Sequence, residues 1–270
     1  MGTSGAASIV RLDTVDSTQS VAFALAERGA PDGTVVVADQ QSAGRGRRGR
    51  TWRAPAGTSL LASILVRPRL PQSLLATLSL TTAVATAEAL RRVASVATRV
   101  KWPNDVLVGG KKIAGILLES RISTVVSEPG RTLLAPPPVE ADLKAPVTTA
   151  IGIGVNLGQR EFPPDLAASA TSVALETGRA PDRETMLAAL LEEFDVWRRR
   201  LEGEGFGPVR ERWRMLSDTL GRRVTVDAVS GVATDLDTDG ALLIDVGDGT
   251  ARVIAGEISL GEEKADAARR

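Results

Sequence analysis

Residues 42–52 read SAGRGRRGRTW, with Arg45, Arg47, Arg48 and Arg50 set among small residues, no acid between them, and Trp52 closing the run. Guanidinium groups fork onto phosphate and carboxylate oxygens. The glycines let backbone N–H groups approach the same oxygens, and an indole offers a flat face to a base. Further along stands KWPNDVLVGGKKIAGILLE (101–119), two extended runs joined by Gly109 and Gly110, which is a hairpin signal. With that turn, Leu107 faces Lys112, Asp105 faces Ala114 and Lys101 faces Leu118. The alternation of a strand then puts Lys101, Asp105 and Lys112 on one face and Trp102, Asn104, Ile113 and Gly115 on the other. Pro103 lacks an N–H and interrupts the ladder. Taken singly, each cluster also reads as solvated surface: a flexible basic loop, and a strand face carrying Lys–Asp pairs of little energy. Taken together, Arg45, Arg47, Arg48, Arg50 and Arg53 with Lys101 and Lys112 suit a tetra-anionic substrate. Transfer at a phosphorus needs cations and N–H donors more than an acid–base pair.

The absent residue types narrow the chemistry. The 270 residues include no histidine and no cysteine. Ser-His-Asp and Cys-His catalysis, zinc held by imidazole or thiolate, and a thiol-carried intermediate are therefore excluded. Lys+Arg and Asp+Glu are both 33, so the arginine cluster is local and the chain is neutral. A dedicated nucleic-acid module is usually basic overall, and the 3% aromatic content also argues against one. No apolar run approaches the roughly 18–20 residues of a membrane span, and the first residues lack a signal-peptide pattern. The expectation is a soluble cytoplasmic protein.

The elements that must position these residues follow from periodicity. Strands are expected at 8–15, 33–41, 59–68 and 150–158, with the hairpin at 98–120. Helices are expected after Asp16, ending near Gly29, then over 71–95, 182–203 and 206–220. Residues 1–7 read as a disordered end, and 121–149, rich in proline and charge, as a mobile insert. From 221 to 262 the character changes to short β-rich runs broken by SG, DTDG and GDGT, which suggests a small barrel. A boundary is placed near 220, giving a catalytic part at 8–220 and a tail at 263–270.

GRGRRGRTW (44–52), KWPNDV (101–106) and KKIAGILLE (111–119) resemble the signature blocks of biotin–protein ligases. DSTQ (16–19), GIGVNL (152–157) and GALLIDV…GEISL (240–260) add weaker matches in the same order. The resemblance implies an α/β (α+β) fold: a mixed sheet flanked by helices, followed by a small SH3-like C-terminal β-barrel. It implies an ATP-dependent ligase that activates biotin to biotinyl-5′-adenylate and passes it to a lysine. ATP and biotin are the substrates, with Mg2+. The implied partner is the biotin carboxyl carrier domain of acyl-CoA carboxylases. No DNA or membrane partner is expected, and the protein would act as a monomer or weak homodimer.

By the same resemblance, biotin contacts fall to Ser17, Thr18, Gln19 (where Asn is common), Gln41, Arg45, Gly46, Arg47, Lys112 and Gly115. Nucleotide contacts fall to Arg47, Arg48, Trp52, Asn104, Lys112 and Asn156. Lys112 and Arg47 carry the catalytic weight, Lys112 bridging the biotin carboxylate and the α-phosphate. Asp105 is the single candidate on the metal side, set against a purely structural role. The basic loop is expected to repel itself and be disordered when empty, and to be drawn down and ordered over the reactive intermediate by the nucleotide. A lipoate-type ligase shares the fold and is the rival reading; a basic-loop nucleic-acid module is the rival of another class.

Overall fold

The computed structural model describes residues 8–122 and 147–264. The expectations for 1–7, for 123–146 of the insert and for 265–270 lie outside the described residues. Strands β1 (Ile9–Val15), β2 (Val35–Gln41), β3 (Ser59–Val66), β4 (Thr98–Lys101), β5 (Asp105–Val108), β6 (Lys111–Ile122) and β7 (Val147–Asn156) form one sheet. Its order is β1-β2-β3-β7-β6-β5-β4. β1 and β2 are parallel and the other neighbours antiparallel, so the sheet is mixed, as expected.

Alternation along β2 divides the two layers. Val35 and Val37 point to the main core and Val36 to the other face, where Ala22 and Phe23 of helix α1 (Thr18–Glu27) pack. The main core is covered by α2 (Thr77–Ala94), α4 (Arg183–Glu204) and α5 (Gly207–Leu216). A short helix, α3 (Val173–Thr177), was not anticipated; Ser172 caps it by accepting from the Leu175 N–H.

Local rules adjust several expected boundaries. The 71–95 helix begins only at Thr77, after a single 3-10 turn at Gln72–Leu74, and α5 stops at Leu216 rather than 220. The presumed insert is shorter than read: β6 runs to Ile122 and β7 begins at Val147, with Arg121 paired to Thr148 and Ile122 to Val147. The largest correction concerns Lys101. The run 98–108 is not one strand. The chain reverses at Trp102–Asn104, where Pro103 offers no ladder donor, so Lys101 pairs with Asp105 and not with Leu118.

The C-terminal residues form a five-stranded antiparallel sheet, in the order β11-β10-β9-β8-β12: β8 (Arg222–Val226), β9 (Val229–Leu236), β10 (Leu242–Asp245), β11 (Thr250–Val253) and β12 (Ile258–Lys264). This is the small SH3-like β unit expected, with β12 extending into the presumed tail. It is not a detached body. Val224, Val226, Ala233, Leu242 and Ile258 belong to the same apolar core as the large sheet. Trp102 is the rivet: it is 1% exposed, its indole N–H donates to the Gly240 carbonyl at 3.2 Å, and its backbone N–H donates to Thr219 Oγ1 at 3.0 Å.

Trp102→Ala should therefore cost about 3–5 kcal/mol, the usual range for emptying a tryptophan site in a core. Urea denaturation followed by far-UV circular dichroism should show one transition at a lower midpoint. A separate, unshifted transition of the C-terminal sheet would contradict the shared core.

Candidate active site

Two connected chambers open on the α1 face of the sheet. The inner one is lined by Ser17, Thr18, Gln19, Gln41, Arg45, Gly46, Arg47, Trp52, Asn104, Lys112 and Gly115, together with Gly152 and Gly154. Ser17–Gln19 enter it because α1 starts there: Ser17 is the N-cap but makes no side-chain cap bond, and the first turn points into the chamber. The Thr18 N–H and hydroxyl both donate to Gln41 Oε1, at 2.8 and 3.1 Å, and Thr18 Oγ1 also meets Ser63 Oγ at 2.7 Å. Those bonds fix the Gln41 amide so that its NH2 remains available. Gln19 is 3% exposed and donates to the carbonyls of Leu117 and Ala150, at 3.1 and 3.2 Å. The head of the chamber is thus a set of oriented amide and hydroxyl groups on a rigid sheet.

The floor is glycine. Gly152 and Gly154 alternate with Ile151, Ile153 and Val155, whose side chains go to the main core. Gly115 pairs with Gly154 across β6 and β7. A Cβ on Gly154 would lie 2.6 Å from the Trp52 ring, and one on Gly115 would lie 2.8 Å from Lys112 Nζ. Sequence reading took GIGVN as a strand and family match with Asn156 as its site residue, and made no use of Gly152 and Gly154. The missed signal was its period of two, with glycine on one face only.

The outer cleft, about 550 Å3, carries the charge. Arg48, Asp105 and Asn156 line it, and Gly46, Arg47, Trp52, Asn104 and Lys112 line both chambers. All the expected site residues therefore border one continuous space. Two face assignments were wrong, those of Gly115 and Asn104. A bulge in the β5–β6 ladder, between Val106 and Leu107, pairs Asp105 with Gly115 instead of Ala114. The extra residue turns Gly115 to the same side as Lys112. Asn104 also joins that side: its Nδ2 donates to the Ile116 carbonyl at 2.8 Å and its Oδ1 accepts from Arg47 at 3.3 Å. Sequence reading also missed Phe162 and Leu166, which give the cleft an apolar wall.

Lys112 stands at the junction. Its Nζ lies 2.6 Å from Asp105 Oδ1 and 5.8 Å from the centroid of the Trp52 ring. The contact with Asp105 is an ion pair without hydrogen-bond alignment, for Oδ1 has no aligned donor. The backbone around Lys112 is held on its far side by residues 169–171, through Lys112 N–H to Ser169 O at 2.8 Å and Thr171 N–H to Lys112 O at 2.9 Å. Arg47 is half-buried; desolvation pulls its guanidinium below the ordinary range, opposed by Asp105 and reinforced by Arg48 and Arg50. Burial of that kind is relieved by an arriving anion.

The arginine loop is not splayed by self-repulsion. Arg45 bridges across to Thr51, and acids meet the charges. Arg45 pairs with Glu119 at 2.8 Å and Arg50 with Glu257 at 2.6 Å. Arg48 takes Asp227 with two parallel bonds of 2.8 and 2.9 Å. Two of these acids come from the C-terminal sheet, and they close the side of the cleft. Arg48 holds the Asp227 carboxyl below its ordinary range, mainly through the side-chain hydrogen bond. The pairing therefore persists above that range and is lost as pH falls through the depressed value.

The comparisons with known proteins bear on this geometry. The biotin/lipoate A/B protein ligase family model matches residues 12–128, and the biotin protein ligase C-terminal domain matches 219–261. A biotin–[acetyl-CoA-carboxylase] ligase of Paracoccus denitrificans is 37% identical over 259 residues, covering 93% of this chain and 99% of that protein. The chain belongs to the biotin–protein ligase family. The Bacillus subtilis bifunctional ligase/repressor BirA is 33% identical, over 92% of this chain and 73% of that protein. The Aquifex aeolicus biotin protein ligase solved with biotin and ATP aligns with TM-score 0.77 and 28% identity, over 95% of this chain and 99% of that one. The activity is ATP-dependent ligation of biotin to protein, with biotin and ATP as substrates.

Two expectations follow for this ligase. Gly154→Ala drives a methyl into the Trp52 ring, so biotin-dependent activity should fall roughly 10²-fold in kcat/KM, as misplacement of about 1 Å does. Activity within two-fold of wild type would show that the floor has no such constraint. Asp227→Asn removes the strongest holder of Arg48, so trypsin should cut the 45–53 segment faster; an unchanged rate would show that the acids do not hold the loop.

Proposed function

We propose that the two chambers divide the substrates, with the fused rings of biotin in the inner one and ATP in the outer one. The observation that carries this reading is the position of Lys112 on their shared wall, with Arg47 and Asn104 beside it. The biotin head needs N–H and C=O partners, which Ser17, Thr18, Gln19 and Gln41 supply, while Gly115, Gly152 and Gly154 let Lys112, Gln19 and Trp52 lie close to the sheet and leave room for its fused rings. Its carboxylate then reaches the junction, where Arg45, Gly46, Arg47 and Lys112 bind it. The base lies between Trp52 and the apolar wall of Phe162 and Leu166, with Asn156 near the adenylate.

In the first step a carboxylate oxygen bonds to the α-phosphorus. The bond to the bridging oxygen breaks, and pyrophosphate leaves with the electron pair. Charge gathers on the α-phosphoryl oxygens and the leaving group, and Lys112 and Arg47 stabilise it without reorganising. Arg48 serves the phosphates from the loop. In the second step an acceptor amine attacks the acyl carbon, AMP departs, and the amine releases a proton. Neither step needs a nucleophile from the protein, which agrees with a chain lacking histidine and cysteine.

Among the described residues no group of three or more carboxylates could hold a metal alone. Magnesium is commonly held by one or two carboxylates plus substrate phosphates, so Asp105 fits an ion that arrives on the nucleotide, where it would neutralise phosphate charge. The acceptor we propose is the biotin carboxyl carrier domain of an acyl-CoA carboxylase, modified in the cytoplasm. No helix among the described residues is long and apolar enough to cross a membrane. One chain supplies both chambers, so a monomer or weak homodimer suffices.

The purified protein should exchange labelled pyrophosphate into ATP when biotin is added and not when lipoate is added. Lys112→Ala should lower that exchange by roughly 10²-fold or more, on the scale of removing an electrostatic stabiliser of a transition state, with an unchanged thermal midpoint. Exchange within a few-fold of wild type would remove Lys112 from the mechanism.

A further inference from the structure

We propose that Lys101 holds the pyrophosphate end of ATP and releases it as the leaving group, a role distinct from that of Lys112. The inference rests on the ligase reading above, and strand order carries it. The 169–171 segment bonds to one side of Lys112, at the end nearest Phe162 and Leu166. On the other side of Lys112 come Asp105 on β5 and then Lys101 on β4. Neighbouring strands are about 4.8 Å apart, so Lys101 is two strands beyond Lys112 on the same face. With the base against the apolar wall and the α-phosphorus at Lys112, the β- and γ-phosphates run toward Lys101. Lys101 lines only the outer cleft, whereas Lys112 lines both chambers.

Lys101 and the loop's Arg53 are the cations lining the outer cleft that are left over, and of the two only Lys101 is held on the sheet. Among the described residues its ammonium has no hydrogen bond or ion pair, while its neighbours are engaged: Lys112 with Asp105, Arg48 with Asp227, Arg50 with Glu257 and Arg222 with Asp218. It is half-buried, and that burial pulls its ammonium below the ordinary lysine range. Asp105 and Glu257 oppose this pull, and Lys112 and Arg222 add to it. A half-buried ammonium without a partner is costly. An arriving polyphosphate removes that cost, so Lys101 should hold ATP and product pyrophosphate alike, and pyrophosphate should inhibit.

Lys101→Met keeps the stem and removes the charge. It should raise the KM for ATP and weaken inhibition by pyrophosphate, each roughly tenfold to a hundredfold, the range for a lost charge-assisted hydrogen bond. The KM for biotin, and transfer from synthetic biotinyl-5′-adenylate, should stay within two-fold. Lys101→Arg should restore most of the pyrophosphate inhibition. Unchanged inhibition in Lys101→Met overturns the proposal. Slowed transfer from the adenylate does too, since it would place Lys101 beside the acceptor amine. Should Lys101→Met not fold, Lys101→Gln carries the same test. If wild type shows no biotin-dependent exchange, the ligase reading fails by itself. Calorimetric titration with pyrophosphate then still tests Lys101: equal affinity in wild type and Lys101→Met overturns the assignment.

Discussion

In the proposed mechanism two anions are pressed together at one point, and the ammonium of Lys112 is what the protein places there. Everything around it keeps that charge in position. The β5–β6 ladder sets its strand, residues 169–171 hold its backbone from the other side, and Asp105 balances it at 2.6 Å. That pair is partly exposed and not aligned as a hydrogen bond, so it orients the lysine without locking it. A fully buried, well-bonded pair would resist exchange with a substrate.

The second constraint is flatness. Gly115, Gly152 and Gly154 remove side chains from one face of the sheet just where Trp52 and Lys112 lie down on it. Their neighbours Ile151, Ile153 and Val155 fill the opposite core, so one short run both packs the core and lines the chamber. The rest of the molecule closes the cleft. The C-terminal sheet shares the main core through Trp102 and extends Asp227 and Glu257 to the arginine loop. The loop is thus held by carboxylates in the place where phosphates are proposed to bind. These pairs are exposed and salt-screened, so a polyphosphate can displace them.

Much of this was legible in the sequence, and the failures are local. The strands, the long helices and the C-terminal β unit follow from periodicity, because burial imposes a period of two or 3.6 on residue type; that the sheet is mixed came from the family resemblance. The face shared by Lys101, Asp105 and Lys112 was read correctly. The partner of Lys101 and the side taken by Gly115 and Asn104 were not. A reversal at Pro103 and a one-residue bulge both shift register without altering the alternation visible in the letters. Phe162 and Leu166 left no periodic trace, since they sit on an irregular segment placed by its bonds to Lys112.

The sequence by itself determined the chemistry: no histidine or cysteine, a local excess of arginine in a neutral chain, and signature blocks in family order. Residue identity decides which reactions are available, and it needs no coordinates. Only the tertiary structure decided which charges are already paired and which face the cleft alone. Acids from positions as distant as Asp227 and Glu257 reach the arginine loop, and Lys101 is left without one. Charge–charge energies depend on distance and burial, and neither is written along the chain.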